Sequence, residues 1–161
     1  MKRQLLAALL CVLLLPLGCA GGSEKIVGKD VKKTDIRDFY WTYDTSTYPP
    51  EFLRYRFYVE DSAYRFFWER REGNVWPLTE EHRTASGTLT LSDAEWDALW
   101  NCLANGAVTK RTGNTSSGGS GPWTFLYWTK DKGEWQVFSF ASWDAEKRFN
   151  ALCETLRERA E

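Results

Sequence analysis

Apolar and polar positions alternate most clearly in the middle of the chain. Over 52–60, Leu53, Tyr55, Phe57 and Val59 alternate with Phe52, Arg54, Arg56, Tyr58 and Glu60. Over 63–70, Tyr64, Phe66 and Trp68 alternate with Ala63, Arg65, Phe67 and Glu69. A period of two in β-branched and aromatic residues predicts two half-buried strands, with Glu60-Asp61-Ser62 as the hairpin turn between them. Ile36–Tyr43 and Gly87–Leu91 read as partner strands. A second hairpin is expected at Trp123–Thr129 and Glu134–Ala141, turning at Asp131-Lys132-Gly133.

Two segments switch to the helical period. Ser92-x-x-Glu95 is a capping box, with Leu91 and Trp96 placed as a hydrophobic staple. Trp96, Leu99, Trp100 and Leu103 then form one stripe, and Asn105-Gly106 ends the helix, the glycine being free to take the left-handed conformation. Ser142 caps a closing helix whose stripe is Phe149, Leu152, Cys153 and Leu156. Runs of strands with segregated helices predict an α+β fold: a twisted antiparallel sheet with two helices packed on one face. One such domain is expected over 35–161, a length sufficient for a single core. Thr112–Gly121 reads as a Gly/Ser connector.

The start of the chain follows another pattern. Lys2 and Arg3 precede an apolar run that, from Leu5 to Leu17, spans 13 residues. A bilayer crossing needs about 20, so this is a secretory h-region and not a span. At Leu15-Pro16-Leu17-Gly18-Cys19 the chain resembles bacterial lipoprotein signal peptides, with Pro16 standing where that family usually has leucine. The resemblance implies removal of residues 1–18, a diacylglycerol on Cys19, and residence on the extracytoplasmic face of the cell membrane. A plain signal cut after Ala20 stays open, because Gly18-x-Ala20 is also small-x-small. Residues 19–34 read as a flexible tether. The whole plan also resembles that of small lipoproteins common in gut Firmicutes, a likeness that carries over no catalytic residues.

Charge and chemistry narrow the function. The chain has 21 basic and 22 acidic residues; losing Lys2 and Arg3 leaves 19 against 22, a net charge of −3. That is no footprint for nucleic acid. His82 is the only histidine, which leaves no His-rich metal site and no second imidazole for acid–base work. It follows Glu80-Glu81, and surface solvation is the reading set beside a base flanked by carboxylates. The loop at 112–121 lacks the Gly-Lys-Ser/Thr ending of a phosphate cradle and the Gly-x-Ser-x-Gly of a nucleophile elbow. No catalytic, metal or cofactor set emerges.

Cys11 falls in the signal and Cys19 is the lipid candidate, so Cys102 and Cys153 remain, either as a disulfide or as two free thiols. Two aromatic surfaces stand out among nine Trp, nine Phe and seven Tyr. Arg54, Arg56 and Arg65 fall on one face with Tyr58 and Phe67, where arginine and rings either stack on a ligand or shield one another. The second hairpin carries Trp123, Trp128 and Trp135 on apolar faces that a ligand, a partner, or the chain's own loops would cover. The expected function is a membrane-anchored, non-catalytic binding or interaction module, with membrane lipid at Cys19 and a protein or glycan as partner. The alternatives are an envelope enzyme acting on a cell-wall or glycan substrate, or an inhibitor or structural partner of another envelope protein.

Overall fold

The computed structural model describes residues 27–105, 107–110, 121–128 and 136–160, with backbone only at 110, 121–128, 136 and 137. The signal, Cys19, the 112–120 connector, the 131–133 turn and Trp135 lie outside the described residues.

The fold is α+β. Among the described residues, seven strands form one sheet: β1 (Ile36–Thr45), β2 (Glu51–Glu60), β3 (Ala63–Glu72), β4 (Arg83–Leu91), β5 (Val108–Lys110), β6 (Gly121–Trp128) and β7 (Gln136–Phe140). Their order is β4-β3-β2-β1-β6-β7-β5, and every pairing is antiparallel. Two α-helices, α1 (Asp93–Leu103) and α2 (Trp143–Ala160), accompany the sheet among the described residues.

The β2–β3 turn is tighter than the alternation alone specifies. Glu60 pairs with Ala63, so only Asp61 and Ser62 turn, with φ of 48° and 64°. Two residues of positive φ form the turn whose twist matches that of the flanking strands. Asp and Ser are short enough to tolerate it.

The α1 capping box forms as its spacing demands. The Glu95 amide donates to Ser92 Oγ, and the Ser92 amide donates to Glu95 Oε2 at 2.7 Å. Trp96, Leu99 and Leu103 are buried. The left-handed residue after α1 is Asn105, at φ 58°, while Gly106 lies outside the described residues. In α2, Ser142 Oγ accepts from the Ala145 amide, and Phe149, Cys153 and Leu156 are buried together with Ala145. The helices run antiparallel side by side, with Arg159 near the end of α2 pairing with Glu95 at the start of α1.

Both helices lie on one face. Trp41, Tyr55, Trp68 and Gly87 sit directly opposite one another across β1, β2, β3 and β4. Helix α2 tracks along that row. Glu146 accepts from Trp41 Nε1 at 2.8 Å, Glu154 accepts from the Tyr55 hydroxyl, Arg157 stands over the Trp68 ring and Ala160 abuts Gly87. Three helical residues advance about 4.5 Å, close to the ~4.8 Å between strands. Positions 154, 157 and 160 therefore meet successive strands. Phe149 fills the space beneath, against Phe39, Phe57 and Phe140 at ring centroids of 5.6, 6.0 and 5.2 Å. Helix α1 adds Trp96, stacked on Tyr64 of β3 at 4.4 Å and 8°.

The expected tether is shorter than its composition implies. Val27 and Val31 are 2% and 1% exposed and belong to the main core cluster. They bridge each other across a turn at Gly28, whose φ is +92°, and Gly28 lies against Ala104. Lys33 pairs with Asp97 of α1. The four lysines of this stretch hide two apolar positions from any average over it, so Val27 and Val31, ahead of the expected start at 35, already belong to the folded core. Strand β5 also went unseen, because three residues are too few to show a period.

Candidate functional site

The face of the sheet away from the helices gathers the predicted arginines, since odd and even positions of a strand point oppositely. Asp38 and Tyr40 of β1, Phe52, Arg54, Arg56 and Tyr58 of β2, and Arg65, Phe67, Glu69 and Arg71 of β3 share it. The arginines there are committed to neighbours. Arg56 is forked onto Asp38, with Nε at 3.0 and 3.1 Å from the two oxygens, and lies over Tyr58 at 4.6 Å. Arg65 pairs with Glu60 and donates to Thr90.

Arg54, Arg71 and Arg83 converge on Glu69, at 3.3, 2.8 and 3.0 Å. The Glu69 side chain is only 1% exposed, and three guanidiniums replace the water it loses. Arg71 is itself buried, donates to the Leu78 carbonyl at 3.2 Å and lies 4.3 Å over the Phe52 ring. Arginine stems here cover rings and heads cover carboxylates. Arg54, Arg56, Arg65 and Tyr58 thus share one layer in which each arginine faces a carboxylate, although Arg54 Nε and Arg65 Nε are buried without a hydrogen-bond partner.

A different place is open. On the helix face, the row next to Trp41-Tyr55-Trp68-Gly87 is Tyr43-Leu53-Arg70-Ala85. It lies beyond the track of α2, where β1 and β3 end and β2 begins. A groove of about 520 Å³ opens there, lined by Trp41, Tyr43, Leu53 and Arg70, by Phe52 and Arg71, and by Glu51 and Glu72 at the rim. No residue of α2 lines it. A second hollow of about 450 Å³ adjoins it through the same Glu51 and Glu72, walled by Pro49, Pro50, Gly73 and Asn74.

Two loops border this end: 46–50, with a cis Tyr48–Pro49 bond, and 73–82, with a cis Trp76–Pro77 bond. They carry Tyr48, Val75 and Trp76, which are 76%, 70% and 44% exposed. Trp76 Nε1 donates to Asp44 of β1 at 3.2 Å, which ties the longer loop to the sheet end. Sequence reasoning missed Tyr43, Glu51, Arg70 and Glu72. The available signal was positional: each lies within two residues of a strand terminus next to a Pro- or Gly-containing loop, where helix cover runs out.

The remaining candidates are placed plainly. His82 Nδ1 accepts from the Thr79 amide at 3.1 Å inside its own 3₁₀ turn, and Glu80 faces Arg71 and Arg83 instead. The bridge between Cys102 and Cys153 is not formed: both are free, Cys153 fully buried and Cys102 half-buried. Burial pushes the Cys153 thiol well above its ordinary range and raises that of Cys102. By backbone register Trp123 stands opposite Thr42 and Trp128 opposite Ile36. Among the described residues no three His, Cys, Asp or Glu side chains are grouped to hold a metal, and no helix is long and apolar enough to cross a membrane. Compared with protein families, curated proteins and solved structures, the chain matches none.

Proposed function

We propose that this protein is a lipid-anchored, extracytoplasmic binding module without catalytic chemistry, and that its ligand seats in the groove at the open end of the sheet. The observation that carries the reading is the groove itself, lined by the rings of Trp41 and half-buried Tyr43 together with Leu53, and rimmed by the charged side chains of Glu51, Arg70 and Glu72. A concave, partly apolar site with a few polar groups is the usual form of a small-ligand site, and 520 Å³ falls within the roughly 300–1,000 Å³ such sites occupy.

The placement of the anchor supports the same reading. Seven residues lie between Cys19 and Val27, and the eight chain steps span at most roughly 26–29 Å. The chain enters the fold beside α1 and feeds the first residue of β1, whereas the groove lies where β1 ends. An anchored domain thus holds its groove at the pole remote from its attachment.

Two measurements test this. Cys19→Ala is expected to release the protein from the membrane fraction and to abolish the lipid mass on the mature N-terminus; a wild-type chain beginning at Gly21 without lipid refutes the anchor. Retention of the full chain on isolated cell-envelope material is expected to fall on Tyr43→Ala or Arg70→Ala and to persist in Arg56→Ala. The reverse ranking moves the binding surface to the outer face.

A further inference from the structure

We infer that the groove takes a neutral saccharide, stacked on Tyr43; the inference rests on the groove being the binding site. Four rings form a near-parallel series on the helix face. Tyr43 and Trp41 are 6.4 Å apart at 16°, Trp41 and Tyr55 are 5.7 Å apart at 18°, and Tyr55 and Phe66 are 6.0 Å apart at 22°. Trp41, Tyr55 and Phe66 are buried, and Tyr43, the terminal ring, is half-exposed and lines the groove. The ring series therefore ends on a face that a ligand can continue. A partner for that position needs a flat apolar face of ring size.

The rim decides what surrounds that face. Glu51 and Glu72 are exposed and sit directly opposite each other in the β2–β3 ladder. Like charges so placed do not stabilise a sheet. Arg70 lies 3.9 Å from Glu72, so the rim offers both acceptors and donors, and the lining balances Glu51 and Glu72 against Arg70 and Arg71, the latter already paired with Glu69. Such a lining has no surplus positive charge to hold phosphate or carboxylate, which disfavours nucleotides and anionic polymers. Hydroxyl groups on the edge of a ring donate to carboxylates and accept from guanidinium. A pyranose combines that polar edge with an apolar face of C–H groups, and an unmodified sugar carries no charge.

The test uses the ¹⁵N-labelled full chain titrated with cellotetraose, maltotetraose, chitotetraose, tetragalacturonate and a neutral tyrosine-containing tetrapeptide. At least one of the three neutral saccharides is expected to shift the amides of Tyr43, Glu51, Leu53 and Arg70. Tyr43→Ala should weaken that binding about tenfold, Tyr43→Phe should retain it, and Glu51→Gln should weaken it while the far-UV spectrum stays unchanged. Peptide shifts at the same amides, without saccharide shifts, overturn the ligand class and leave the groove as the site. Preference for tetragalacturonate overturns the requirement for neutrality. Saccharide shifts at Arg56 and Tyr58 in place of the groove overturn both readings, and failure of all three neutral saccharides to shift the groove overturns the inference.

Discussion

Gly87 of β4 lies against the last turn of α2, so that a methyl group on it would stand 2.4 Å from the Ala160 carbonyl oxygen and 2.6 Å from Trp68 Nε1. Alanine is ordinarily the better strand residue, since glycine loses more backbone freedom on folding. Here the closer obstacle is backbone and cannot rotate away. Gly87→Ala is expected to destabilise the fold by about 1–3 kcal/mol, as overpacking does, and to loosen amide protection near Ala160. Urea denaturation with hydrogen exchange measures both, and an unchanged midpoint contradicts the packing of α2 on β4.

Glu69 gives the sharpest electrostatic contrast. Glu69→Ala leaves Arg71 buried without its carboxylate, and breaking such a buried pair costs about 3–5 kcal/mol. Asp38→Ala also removes an arginine's partner, but the Arg56 side chain is 42% exposed and water takes over. A loss below about 1 kcal/mol is expected there. Equal losses in chemical denaturation contradict the difference in burial.

The α1 cap sets an acid dependence. Hydrogen bonding from Arg159, then from the Ser92 backbone, lowers the Glu95 carboxyl from 4.5 to about 2. A depressed folded-state value means that its contribution is present above pH 4.5 and is lost as pH falls toward 2. Titration by carboxyl ¹³C NMR is expected to give a midpoint well below that of an ordinary glutamate. Glu95→Gln should flatten the stability–pH curve in that window, and a normal midpoint refutes the Arg159 contact.

The N-terminal edge of the domain is testable by methyl deletion. Val27→Ala and Val31→Ala each remove two buried carbons, about 1.6 kcal/mol at ~0.8 kcal/mol per CH₂. Val75→Ala, at a residue 70% exposed, should stay within about 0.5 kcal/mol. A null result at both core valines returns residues 27–34 to the tether.

How far the sequence carries depends on element length and on what touches each element. Strands β2 and β3 and both helices were legible because a half-buried element writes its period into eight or more residues. The Ser92 cap and the Phe149–Cys153–Leu156 stripe are local and needed nothing else. The commitment of Arg54 to Glu69 was not legible, since it requires the β2–β3 register to bring residues 15 apart into one layer. The groove was harder still. It exists because α2 crosses the sheet one row short of Tyr43, and no local pattern records where a helix crosses.

The clasp at Val27–Val31 has a mechanical consequence. A pull on the N-terminus first meets this turn against α1 and the Lys33–Asp97 pair, and only then reaches β1. Strand β1 is interior to the sheet, bonded to β2 on one side and β6 on the other. Load therefore passes from a small sacrificial latch to a strand flanked by two ladders. The domain can yield at its entry by a short length of chain while the sheet that carries the groove keeps its shape.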